Sequence, residues 1–418
     1  MVEESSSRPL IGWVLYDWAN SAFATTVMAG FFPLFFKQYW SPQLSVVEST
    51  YYLGLINSLT SFLLAALSPA LGAIADVGSF RKRFLFCFTL LGVASTASLS
   101  TLGAGEWVLA AWYYSLALLG FIGANTFYDA LIMQVCRPKD YDKVSAFGYA
   151  MGYLGGGLLF ALNVWMYSSP QTFGLSDGIA AVKFSFLTVA IWWIVFAIPI
   201  FKWTPESQSP HRISLLKATQ KGIRSFMQTL SDLRQHPGIL YFLVGYIFYI
   251  DGVNTIIKMS VDYGMSIGLA PSDLIKALLL VQFVGFPSAI AFGFLGAKWG
   301  AKLGIWICLV AYAGVTAFAY QMSSASEFYL LAIVIGLVQG GIQSLSRSYY
   351  ARLVPPHQSA EYFGFFNMLG KFSSILGPLL MGAVALLTSS SRTSILVLLL
   401  FFLIGGILLA MSHQEKKS

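Results

Sequence analysis

Apolar stretches long enough to cross a hydrocarbon core, about 20 residues each, recur along the chain from residue 10 to residue 412 with short polar breaks between them. Twelve of them read as helices, near residues 10 to 38, 51 to 76, 83 to 103, 107 to 134, 144 to 168, 180 to 202, 238 to 267, 272 to 297, 303 to 322, 328 to 351, 361 to 387 and 393 to 412. The first run is too long for the apolar core of a signal peptide, continues past Pro33 and has no small-residue cleavage site behind a short core, so it is expected to be retained. The longest break divides the spans six and six, giving an N-terminal unit of residues 1–202, a linker of residues 203–237 and a C-terminal unit of residues 238–418. Within the linker, Ile223, Phe226, Met227, Leu230 and Leu233 recur at helical spacing. This predicts an amphipathic helix along the membrane surface, with Lys217, Lys221, Arg224 and Arg234 toward anionic headgroups.

Composition agrees with this pattern. Of 418 residues 57% are hydrophobic and 10% charged, with mean hydropathy +0.70, whereas a soluble chain carries about 25% charged residues. The fold class is all-α, integral to the membrane, and the lipid bilayer is the chain's first partner. Arg8, Arg81, Lys82, Arg83, Arg137, Lys139, Lys143, Lys202, Arg212, Lys217, Lys221, Arg224, Arg234, Lys298, Lys302, Arg347, Arg352, Lys416 and Lys417 fall on one side of a twelve-span topology. By the positive-inside rule that side is cytoplasmic, both termini included, in what is expected to be a bacterial inner membrane. The net charge of +7 is then a matter of topology and needs no nucleic-acid partner. Cys87, Cys136 and Cys308 are far apart and form no C-x-x-C pair, so neither a disulfide frame nor a zinc site is expected. His211, His236, His357 and His413 fall in breaks or the tail, and G-x-S-x-G, P-loop and H-E-x-x-H motifs are absent. No enzyme, cofactor or metal is expected.

The two sets of six spans carry a repeated motif. Residues 16 to 21, YDWANS, are echoed by residues 250 to 255, IDGVNT, each in the first span of its half. Positions i, i+3 and i+4 share a helix face, so Asp17, Asn20 and Ser21 form one polar stripe and Asp251, Asn254 and Thr255 another. Ionised side chains within spans face the bundle interior and mark pathways, because lipid exposure costs about 2.5 to 3.5 kcal/mol. The two stripes are therefore expected to form opposite walls of one path between the halves, the pattern of an internally repeated transporter. Asn125, Tyr128 and Asp129 on the fourth span, Lys258 and Asp262 on the seventh, Gln339, Gln343, Ser344, Ser346 and Arg347 on the tenth and Lys371 on the eleventh join them. Lys258 and Asp262 can pair with one another at i, i+4. Asp129 and Arg347 approach the cytoplasmic ends of their spans, where a structural contact, snorkelling and a gate pair between the bundles are all open. Tyr16, Trp18 and Tyr128, beside the stripes, are candidates to stack on a ligand. Gly152, Gly155, Gly156, Gly157, Gly370 and Gly377 read as close-packing positions.

The segment GAIADVGSFRKR, residues 72 to 83, resembles the major facilitator loop motif between the second and third spans. The resemblance implies a cytoplasmic gate motif of Gly72, Asp76, Arg81, Lys82 and Arg83, with the carboxylate holding cations and a neighbouring helix N-terminus. Within that superfamily, YDWANSAFATTV (16 to 27), FGYAMGYLGGGL (147 to 158), GLVQGGIQSLSRSYYARLVPP (336 to 356) and YFGFFNMLGKFSSILGPLL (362 to 380) resemble the "unknown major facilitator" family. Its eukaryotic relatives include the autophagy-related vacuolar amino-acid effluxer of yeast. The resemblance implies twelve helices in two pseudo-symmetric six-helix bundles that alternate access around a central site. One departure stands out: in GFLGAKWGAK, residues 293 to 302, Ala297 stands where the first half has Asp76. The second lock is expected to be looser, or built from Lys298 and Lys302.

The combined expectation is a monomeric secondary transporter of a small polar or zwitterionic solute, amino-acid-like at first guess. Proton coupling through Asp251 or Asp17 is a further expectation. Efflux of an amphiphilic drug or siderophore is the alternative within the class. A non-transporting receptor, a scaffold or a lipid scramblase is the alternative outside it.

Overall fold

In hydrocarbon a backbone has to satisfy its own N–H and C=O groups, and the chain does so as helix. The computed structural model describes residues 7–44, 46–205, 215–232, 237–266, 269–388 and 391–412. The side chains of Lys258, Asp262, Lys371 and Leu230 lie outside the described residues, as do Arg212, Leu233, Arg234, Lys416 and Lys417.

The first half comprises α1 (Arg8–Trp40), α2 (Val46–Gly78), α3 (Arg81–Leu99), α4 (Trp107–Val135), α5 (Pro138–Ser168) and α6 (Gly178–Trp203). A surface helix, α7 (Leu215–Asp232), follows. The second half comprises α8 (Pro237–Ser266), α9 (Pro271–Trp299), α10 (Ala301–Ala319), α11 (Ala325–Leu353), α12 (Ser359–Thr388) and α13 (Arg392–Met411). Ten of these helices are long and apolar enough, over described residues, to cross a membrane. A helix stands at the place of each of the twelve expected spans, with ends within six residues of the hydropathy boundaries.

Local chemistry sets several ends. Ser324 and Glu327 form a capping box at the start of α11, and Asp177 accepts the Ala180 N–H at 2.8 Å ahead of α6. Helix α1 is regular through Ala22 and then widens into π-type turns over Phe23–Phe31. Its polar stripe thus lies directly before a change of pitch, a place where such turns often serve function.

Large apolar side chains point outward, Leu387, Val310 and Trp112 among them at 86%, 66% and 64% exposure. That surface is fit for lipid and unfit for water. Inside the first half, Trp13 stacks on Tyr128 with centroids 4.6 Å apart, and Trp18 stacks on Trp192 at 5.5 Å. The halves meet at the end that carries Asp76. There α2 lies against α12 so closely that a Cβ at Gly72 would strike the Ala360 carbonyl, and α9 lies against α5 with Gly293 over Ala146. The same small-residue device closes both pseudo-symmetric seams.

Candidate functional site

Between the halves lies a cavity of about 380 Å³, lined from the first half by Asp17, Asn20, Ser21, Thr25, Asn125, Tyr128, Asp129, Tyr149 and Tyr153 and from the second by Tyr246, Asn254, Gln282, Gln339, Gln343, Arg347 and Asn367. The stripe on α1 faces it whole. Asn20 donates to Asn125 Oδ1 at 2.6 Å, and the Tyr128 hydroxyl donates to Asp17 Oδ2 at 3.0 Å. The Tyr153 hydroxyl donates across the halves to Gln343 Oε1 at 3.3 Å.

The floor of the cavity is an ion cluster that crosses the halves. Arg347 of α11 donates through Nη1 to Asp129 at 3.0 Å, through Nε to Ser145 Oγ at 2.8 Å and through Nη2 to the Ser145 carbonyl at 2.9 Å, with Asp17 at 3.7 Å. Asn367 of α12 donates to the other oxygen of Asp129 at 3.1 Å. The guanidinium lies 4.3 Å from the Tyr149 ring centre and 4.7 Å from that of Trp13. A planar cation can take fork contacts in its plane and aromatic faces above it, which an ammonium cannot. Arg347 is 2% exposed, so in this low-dielectric setting the pair depends on the hydrogen bonds made by Nε, Nη1 and Nη2. Asp129 and Arg347 thus bond one another across the halves.

The facing wall differs from the sequence expectation. Asn254 lines the cavity, but Asp251 and Thr255 do not. Asp251 accepts the Gly377 N–H of α12 at 2.9 Å and the Thr255 hydroxyl at 3.3 Å. The reason is the α8–α12 crossing: a Cβ at Gly377 would collide with Thr255 Oγ1, and so close an approach turns the stripe onto backbone. Asn254 sits about 60° round the helix from Asp251 and keeps the cavity side. Tyr16 and Trp18 are likewise committed elsewhere, Tyr16 to Thr89 at 2.7 Å and Trp18 to Trp192. Tyr128 is the one of the three aromatic candidates that reaches the cavity. Lys258 and Lys371 lie outside the described side chains.

Below the floor are two locks. Asp76 accepts from Arg81 Nε at 2.5 Å and from the amides of Ala360 and Glu361 at 3.2 and 2.9 Å, capping α12 across the halves. A carboxylate at a helix N-terminus is stabilised by the orphan amides and the dipole. Lys82 ties the C-terminal carbonyls Phe201 and Thr204 of α6 at 2.8 and 2.7 Å, while Arg83 lies over the Phe80 ring. The second half repeats the lysine: Lys302 bonds the Ala410 and Ser412 carbonyls behind α13 at 2.9 and 2.7 Å.

The carboxylate missing at Ala297 is supplied from the other side of the seam. Asp142 on α5 takes both Arg352 nitrogens of α11 at 2.7 Å and the Ser348 hydroxyl at 2.5 Å. The second lock is therefore neither loose nor a lysine substitute. Sequence reasoning missed Asp142, Ser145, Asn367, Tyr149, Tyr153, Tyr246 and Gln282. The signal for Asp142 was an acid among Lys139 and Lys143 in a break otherwise fit for topology charge. Asn367 stood in the quoted segment of the eleventh span and Tyr149 and Tyr153 in that of the fifth, whereas Tyr246 carried no signal beyond the abundance of tyrosine.

With this geometry in view, known proteins place the chain. The family described as "Vacuole effluxer Atg22 like" matches residues 45–140 and 134–418. An uncharacterized MFS-type transporter of Bacillus subtilis, YxiO, is 40% identical over 96% of this chain and 94% of its own. Autophagy-related protein 22 of Saccharomyces cerevisiae is 23% identical over 89% of this chain and 85% of its own. Among solved structures, the human organic anion transporter MFSD10 (TETRAN) superposes with TM-score 0.69 at 17% identity, over 97% of this chain and 98% of that one. Its relatives are membrane transporters of the major facilitator type and not enzymes, and the chain belongs to the Atg22-like family of that superfamily.

Proposed function

We propose that the chain moves a small zwitterionic, amino-acid-like solute through the central cavity by alternating access. The observation that carries this is the make-up of the cavity. A carboxylate, Asp17, stands on the first-half wall, and the amides of Asn254, Gln339 and Gln343 stand opposite, in a volume of about 380 Å³. Asp17 meets the solute's amine, and the amides opposite meet its carboxylate. Two bodies, residues 1–202 and 238–418, rock about this site while the linker 203–237 tethers them. The basic end is the cytoplasmic face, as the distribution of Lys and Arg supports, so the state described is closed to the cytoplasm. Asp17 is also the group through which a proton couples, because it accepts from Tyr128, lines the cavity and lies 3.7 Å from Arg347.

Thermal stability of the purified protein against amino acids, organic acids, sugars, polyamines and amphiphilic drugs tests the reading, since a ligand of the folded state raises apparent stability. A rise with amino acids that vanishes in Asp17→Asn is the expected result. A rise confined to amphiphiles, or none across the panel, overturns it. For coupling, uptake driven by a pH gradient that is unchanged in Asp17→Asn sinks the assignment.

A further inference from the structure

We propose that α7 is a clamp read by anionic lipid: it binds the acidic surface of the surrounding bilayer and, when bound, holds the Asp76 lock shut. At about 100° per residue, α7 has three faces. Ala218, Gly222, Ser225 and Phe226 share the first, which docks on the lock. Gly222 sits against the backbone of Ile74, two residues before Asp76, where a Cβ would meet the Ile74 N and Cα. The Ser225 hydroxyl donates to Glu361 Oε2 at 3.1 Å, and Phe226 stacks on Phe365 with centroids 5.6 Å apart. Glu361 is the residue whose amide Asp76 holds. One helix therefore touches α2 and α12, the two members of the lock, from outside the bundle.

The second face is apolar and outward: Ile223 and Met227 are 50% and 59% exposed. The third carries Lys217, Lys221 and Arg224, all exposed. An apolar stripe flanked by a basic one, on a helix packed against the Asp76 end of α2, fits a bilayer surface bearing negative headgroups. Charge complementarity selects anionic phospholipid over the neutral kind, because each basic side chain near such a surface gains roughly fivefold in affinity. The pseudo-symmetric lock at Asp142 and Arg352 has no described helix bridging it, so the device acts on one seam. The inference rests on the reading that this end opens during transport.

The test is the distance between spin labels at Lys139→Cys and His357→Cys, in a background without Cys87, Cys136 and Cys308, with the full chain in nanodiscs. Phosphatidylglycerol should raise the short-distance population several-fold over phosphatidylcholine, with the difference shrinking at high salt. The triple variant Lys217→Gln, Lys221→Gln, Arg224→Gln should lose that response. Gly222→Leu, which lifts α7 off Ile74 while keeping its charges, should lose it too. A wild type indifferent to lipid charge, or a response surviving in either variant, overturns the clamp. Asp76→Asn separates the two failures. If it opens the end while lipid does nothing, the clamp fails and alternating access stands; if neither moves the labels, the transport cycle itself is wrong.

Discussion

Arg347 shows what one side chain does at a seam. Its guanidinium donates to Asp129 and to both oxygens of Ser145, with Asp17 at 3.7 Å, while Trp13 and Tyr149 flank the plane. Removing the cation leaves two buried carboxylates facing one another, and breaking such pairs costs about 3–5 kcal/mol. Arg347→Gln should therefore lower the unfolding temperature in detergent by several degrees, and Arg347→Lys should recover less than half of the loss, because an ammonium cannot serve two carboxylates and a carbonyl in one plane. Full recovery by lysine would show that charge alone matters. Cys136 offers a second check at this scale. It lies just beyond the span that ends at Val135, and burial, the leading cause, with Asp140 beside it, pushes its thiol up to about 12. It stays a neutral thiol at pH 8, so maleimide should leave it unlabelled in the folded protein, and rapid labelling there would contradict the packing.

At the scale of elements, the locks obey a symmetry that the residues do not copy. Lys82 and Lys302 do the same work at the ends of α6 and α13, whereas the carboxylates sit on opposite partners of their seams, Asp76 on α2 and Asp142 on α5. Either acid made neutral loses charge-assisted bonds that contribute about 1.5–3 kcal/mol each. Asp142→Asn should thus favour an open basic end about as strongly as Asp76→Asn, read as a longer distance between labels on the two halves. If Asp142→Asn does nothing while Asp76→Asn opens, the second seam is held by packing at Gly293. Asp251→Asn, by contrast, keeps a group able to accept the Gly377 N–H, and it should leave ligand-induced stabilisation within about twofold of wild type. Its abolition would return Asp251 to the solute path.

For the whole molecule, the described state stacks a polar cavity, an ion cluster at Arg347, and two sets of contacts between the halves at the end that carries Asp76. Opening the basic end requires breaking both locks and the floor together, so the variants above should act additively only if the three layers separate one at a time. Layers that part in one concerted step would give strongly non-additive effects in double mutants. Much of this was legible in the chain. Twelve spans, the basic end, the duplicated stripe on α1, the loop motif around Asp76 and the helix in the linker follow from hydropathy, charge placement and short-range periodicity, since lipid solvation acts on each segment separately and enforces the same rule along its whole length. What the tertiary structure alone decided is which polar groups meet. Asp251 is turned to the Gly377 amide by the tightness of one helix crossing, Asp142 stands in for the absent acid at Ala297 because α5 and α11 converge there, and Arg347 joins Asp129 across the halves. Those outcomes depend on helix rotation and on close approach at single glycines, quantities set by the packing of the assembled bundle and by no local stretch of sequence.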